Sequence, residues 1–143
     1  MIARIPIDPV AVGRSPFPNR ALAAPPGVTL SPPDLPSSTF ALPAARVADL
    51  WVAVVEGQPR ARVVERAADG LLIHCVQTTA VLRFVDDVHA RILPLGRDQS
   101  TLAVLSRSRV GLWDLGVNAA RLRAWLADLE ARAARWSSGG APG

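Results

Sequence analysis

Two carboxylates, Asp86 and Asp87, stand side by side in the apolar run Arg83-Phe84-Val85-Asp86-Asp87-Val88, and His89 follows them. Together with Asp114 they offer oxygen ligands and one imidazole, the donors of a divalent cation site or the groups of general acid/base hydrolysis. No two histidines share a ligand spacing and the acidic pair does not recur, so neither a metal nor any other cofactor is expected. Ser106 and Ser108 lack the elbow and the positioned base of a nucleophilic serine. His74 and Cys75 are neighbours on a strand and face opposite ways, which argues against a thiolate–imidazole pair and leaves Cys75 as a buried structural thiol. Gly111 and Gly116 do not follow a dinucleotide-binding spacing and are read as turn residues.

The elements that must hold these residues follow from changes in periodicity. Pro43 suits a first helical turn, Val47, Leu50, Trp51, Val54 and Val55 keep helical spacing, and Gly57 with Pro59 ends the run. Strands are predicted over 60–66, 71–78, 80–93 and 101–110, with Asp69-Gly70 as a hairpin signal and 94–100 as a further turn. Asn118 is placed to cap a last helix, with Val117 and Leu122 as its staple. Leu122, Trp125, Leu126, Leu129, Ala133 and Trp136 then share one face. The expected fold is α+β: a four-stranded antiparallel sheet with an N-terminal and a C-terminal helix packed on one face.

Alternation along the third strand separates the acidic pair. Asp86 shares a face with Leu82, Phe84, Val88, Ala90 and Ile92, and so points into the core. Asp87 shares the other face with Arg83, His89 and Arg91. A turn centred near Arg97 sets Asp86 opposite Ser108 and Asp87 opposite Arg107. A buried carboxylate must be paired, and Arg109 with the amides of segment 111–118 is the expected partner of Asp86. Asp87 is expected in a surface charge ladder with Arg107. Trp113, His89 and Arg107 are the candidates for a ligand surface.

The 143 residues suffice for one domain. Nine of the 13 prolines fall in residues 1–36, which are read as an extended arm with paired strand disfavoured. Residues 37–136 then carry the domain and 137–143 a flexible tail. All 16 basic residues are arginine, and the net charge of +4 leans towards the C-terminal third. A single cysteine excludes an internal disulfide. The chain lacks an apolar run of membrane-spanning length and a signal-type leader, so a cytoplasmic protein is expected, with membrane association as the alternative.

Phe84-Val85-Asp86-Asp87-Val88, Ser106-Arg107-Ser108-Arg109-Val110-Gly111 and Asp114-Leu115-Gly116-Val117-Asn118 resemble the DUF1499 family, a domain of unknown function. Ala21-Leu22-Ala23-Ala24-Pro25-Pro26-Gly27 and Gln77-Thr78-Thr79-Ala80-Val81-Leu82-Arg83-Phe84 extend the resemblance to roughly 18–130. The resemblance supplies no catalytic residues. Four positions depart from it: Ala24 and Thr29 stand where many relatives have cysteines, His89 stands for an acid, and Ala119 stands for a basic residue.

The expected function is a non-catalytic binding or interaction module with an unknown protein or small-molecule partner. The alternatives are a metal-dependent or acid/base hydrolase using Asp86, Asp87 and His89, or a basic surface of Arg121, Arg123, Arg132 and Arg135 for anionic lipid or nucleic acid. Nucleic acid is the less favoured partner, because so small an excess of arginine usually serves only to solvate a helix.

Overall fold

The computed structural model describes residues 7–15, 18–111 and 116–138. The order is strand β1 (Arg20–Ala23), helix α1 (Ala44–Glu56), strands β2 (Ala61–Arg66), β3 (Leu72–Thr78), β4 (Val85–Gly96) and β5 (Gln99–Ser108), and helix α2 (Val117–Ser138). The sheet is antiparallel, in the order β1-β5-β4-β3-β2. It therefore has five strands, not four. The extra one lies between Pro18 and Pro25, in a stretch where every residue keeps its amide for pairing. Its outer side is closed as well: the Leu22 amide donates to Asp34, and the Asp34 and Leu35 amides donate to the Leu22 carbonyl.

Both helices pack on one face of the sheet. Ala21, Ala23, Ile73, Cys75, Val88, Ala90, Ile92, Leu102 and Val104 meet Val47, Trp51 and Val54 of α1 and Leu122, Trp125 and Leu129 of α2 in a single core. Trp51 and Trp125 touch at 5.8 Å between ring centroids, tilted by 59°. Burial among these groups pushes the Cys75 thiol up to about 12, with only a weak opposing pull from the Trp51 indole.

The second face carries Leu22, Leu72, His74, Asp87, His89 and Leu105, and the segment before β1 crosses it. A short 3-10 turn, Pro9–Ala11, lies against β4 and β5. It is tied down by Asp8 to Arg91 at 3.1 Å, by the Leu30 amide to the Val10 carbonyl at 2.8 Å and by Ser31 to the Val12 carbonyl at 2.6 Å.

β4 begins at Val85 rather than residue 80. Thr79 to Phe84 form a closed loop instead, in which the Thr79 amide donates to the Phe84 carbonyl and the Phe84 amide donates to the Thr79 hydroxyl. Leu82 and Phe84, expected in the core, are exposed there. The register of β4 on β5 is as expected, Asp86 opposite Ser108 and Asp87 opposite Arg107. Pro94 sits where that ladder becomes irregular, at the one end of β4 that can spare its amide.

Candidate functional site

Asp86 and Asp87 open β4 and, as neighbours on a strand, leave it on opposite faces. Each meets its own arginine.

On the helix face, Asp86 is 2% exposed and accepts from Arg121 Nη2 at 2.7 Å; Arg121 is itself only 8% exposed. The guanidinium also donates to Gln77 Oε1 at 2.6 Å, Ser106 Oγ at 3.0 Å and Asn118 Oδ1 at 2.9 Å. Ser106 Oγ donates to Asn118 Oδ1 at 2.6 Å, and Asn118 Nδ2 donates to Ser108 Oγ and to the Asn19 carbonyl, each at 3.0 Å. One arginine thus ties α2 to β3, β4 and β5. The partner of Asp86 is Arg121 and not Arg109, because Arg109 leaves its chain on the face of Asp87. Asn118 is the second residue of α2 rather than the residue before it, and its amide serves this network. Of the four arginines expected on a basic helix surface, Arg121 is buried and Arg132 is bonded to Asp128 at 3.1 Å, while Arg123 and Arg135 are exposed.

On the other face, Asp87 is buried, not part of a surface ladder. Arg109 grips it with two bonds, Nε to Oδ2 at 2.7 Å and Nη2 to Oδ1 at 2.8 Å, and His74 Nε2 lies 2.7 Å from Oδ1. Burial works to raise the Asp87 carboxyl, but Arg109 and His74 outweigh it and hold the group well below the usual carboxylate range. His89 stacks on His74 at 4.3 Å between centroids, 10° from parallel, and its Nδ1 accepts the Ile7 amide at 3.2 Å. Burial, with the neighbouring His74 and the charges of Arg107 and Arg109, pulls His89 down to about 4, against the pull of Asp87. Arg107 is exposed and has no hydrogen-bond or ion-pair partner among the described residues.

His74, Asp87 and His89 bring ligand atoms within 4.8 Å of one another. They are the described residues best placed to hold a metal, yet both Asp87 oxygens and the His89 Nδ1 are already bonded. Two stacked, near-parallel rings also cannot both aim an in-plane lone pair at one ion. For hydrolysis, the groups expected to converge are divided by the sheet: Asp86 lies on one side, Asp87 and His89 on the other. His74, absent from the candidates read from the sequence, joins the cluster because β3 pairs with β4 so that His74 opposes His89.

Beside Asp86 a cleft of about 500 Å³ opens between the 79–84 loop and the start of α2. Its walls are Ala80, Val81, Leu82, Phe84, Val110 and Val117, with Asp86 and Ser108 at its base. Of the eight large apolar side chains exposed among the described residues, five line this cleft: Val81, Leu82, Phe84, Val110 and Val117. Val81 and Leu82 are 88% and 67% exposed. Arg83 between them and Phe84 has φ 59°, in the left-handed region that costs a non-glycine residue about 1 kcal/mol. Gly111, after the end of β5, and Gly116, just before α2, both have φ 82°, which explains why glycine stands there. Trp113 and Asp114 lie outside the described residues.

The model of a family described as a protein of unknown function (DUF1499) matches residues 14–129. The chain belongs to the DUF1499 family. No curated protein matches it. A solved structure described as a START superfamily protein from Mycobacterium smegmatis is 16% identical to it, over 67% of this chain and 89% of that one, with a TM-score of 0.34. Within the DUF1499 match lie both arginine–carboxylate pairs, the 79–84 loop and the apolar cleft. Among the described residues, no helix of this DUF1499 protein is long and apolar enough to cross a membrane.

Proposed function

We propose that this DUF1499 protein is a non-catalytic binding module that takes a small apolar ligand, an acyl chain or an aromatic ring, in the cleft between the 79–84 loop and α2. The observation that carries this reading is the gathering of five of the eight exposed large apolar side chains along one concavity. Scattered exposed apolar residues need no explanation, but a contiguous set does. The loop that presents them is closed by two bonds between Thr79 and Phe84 and holds Arg83 in a strained conformation, as preorganised ligand loops do. A ligand covering roughly 150 Å² of apolar surface there gains about 4 kcal/mol at ~25 cal/mol per Å².

The acidic pair supports the non-catalytic half of the proposal. Asp86 and Asp87 are each bound by an arginine and separated by the sheet, so neither is free to exchange a proton with a substrate.

Titration with cis-parinaric acid, whose fluorescence rises in an apolar environment, tests the reading. The native chain is expected to bind, and Leu82→Asp and Val110→Asp to weaken binding at least about tenfold by placing a carboxylate in the apolar wall. Both positions are exposed, so the unfolding midpoint is expected to stay put. Native-like affinity in both variants refutes the proposal.

A further inference from the structure

The second face of the sheet bears a row of cross-strand neighbours, Arg62, Val76, Asp87, Arg107 and Arg20, running from β2 to β1. Arg20 and Arg107 are directly opposed, an arrangement in which two like charges repel. Arg109 stands two residues beyond Arg107 on the same face and is gripped by Asp87. Asp87 is thus committed to Arg109 and His74, while Arg107 has no partner among the described residues. Arg20 gives one nitrogen to the Gly13 carbonyl, and its guanidinium has no other hydrogen-bond or ion-pair partner among the described residues.

Arg20, Asp87, Arg107 and Arg109 line a polar cleft of about 500 Å³ together with Asn19 and Ser108. Three guanidinium charges less the one carboxylate leave two positive charges, and His89, pulled down to about 4, adds none at neutral pH. A phosphate monoester carries about −1.5 to −2 at pH 7 and three acceptor oxygens. It therefore matches the cleft in charge, and its oxygens suit planar guanidinium forks.

We propose that this cleft binds a phosphate monoester, held between Arg107 and Arg20 with Arg109 at its inner edge. The bound dianion relieves the repulsion across β1 and β5. The site is distinct from the apolar cleft beside Asp86, with which it shares one lining residue, Ser108.

Phenyl phosphate is the probe, titrated calorimetrically into the full chain at low salt. Binding is expected in the native chain, and Arg107→Ala is expected to weaken it about tenfold or more, the size of one charged hydrogen bond. Arg123→Ala, which removes an exposed arginine of α2, is the control and is expected to bind as the native chain does. Absence of binding at millimolar phenyl phosphate, native affinity in Arg107→Ala, or an equal loss in Arg123→Ala overturns the proposal. A second arm uses phosphatidylcholine vesicles with and without phosphatidic acid. Arg107-dependent sedimentation with phosphatidic acid alongside phenyl phosphate binding assigns a lipid source to the same phosphate chemistry. Sedimentation without phenyl phosphate binding overturns the small-molecule site. Arg107 is exposed, so unchanged melting of its variant separates lost binding from lost folding.

Discussion

Replacing Arg121 by alanine tests whether one buried guanidinium holds α2 to the sheet. The substitution leaves Asp86 charged, 2% exposed and without its counter-ion, and it removes a donor from Gln77, Ser106 and Asn118 at the same time. Breaking a buried pair by deleting one partner costs about 3–5 kcal/mol. For a chain near this size each kcal/mol moves the midpoint by ~2–4 °C, so melting is expected to fall by about 6–20 °C. Urea unfolding followed by circular dichroism, with the slope checked for constancy, gives the free energy directly. The double variant Asp86→Leu with Arg121→Met removes both charges and keeps the volume, and it is expected to recover most of the loss. A cost below about 1 kcal/mol for Arg121→Ala, or a double variant no better than the single one, refutes the reasoning.

Asp87→Ala is expected to destabilise less than Asp86→Ala, because Arg109 is partly exposed and regains water while Arg121 does not; chemical denaturation of the two variants compares them. His89 binds fewer protons folded than unfolded between about 4 and its ordinary value of 6.5, so stability is expected to rise with pH across that window, by on the order of 2 kcal/mol. His89→Gln should flatten that slope, and an unchanged slope counts against the placement of His89. The Cys75 thiol, pushed up to about 12 and buried, should resist iodoacetamide in the folded chain and react at the rate of unfolding; rapid labelling under native conditions contradicts its burial. Arg83→Gly should be neutral or stabilising by up to about 1 kcal/mol in thermal melts, since it relieves a positive φ.

Strand alternation and the turn at Arg97 were enough to place Asp86 in the core, to set it opposite Ser108 and to part it from Asp87. The partners were harder to read. Arg121 falls three residues after Asn118 and four before Trp125, on the apolar stripe of α2, and that position was the available signal that it turns inward. Arg109 follows the face parity of β5 one step past its end, which puts it on the side of Asp87 and out of reach of Asp86. β1 was hidden by the prolines around it, although the six residues 19–24 contain none. Leu82 and Phe84 fit strand alternation, and only the closure of the 79–84 loop by two bonds between Thr79 and Phe84, which periodicity does not register, takes them out of the core. His74 enters the cluster through the pairing of β3 with β4, which the length of an irregular loop decides and local periodicity does not.

The central claim is that the apolar cleft, and not the acidic pair, is where this DUF1499 protein meets its ligand. Amide chemical-shift mapping during titration with dodecanoate tests it most directly. The largest shifts are expected at residues 79–84, 108–111 and 117, with little change at His74 and His89. Shifts centred on His74, Asp87 and His89, or none at the 79–84 loop, contradict it.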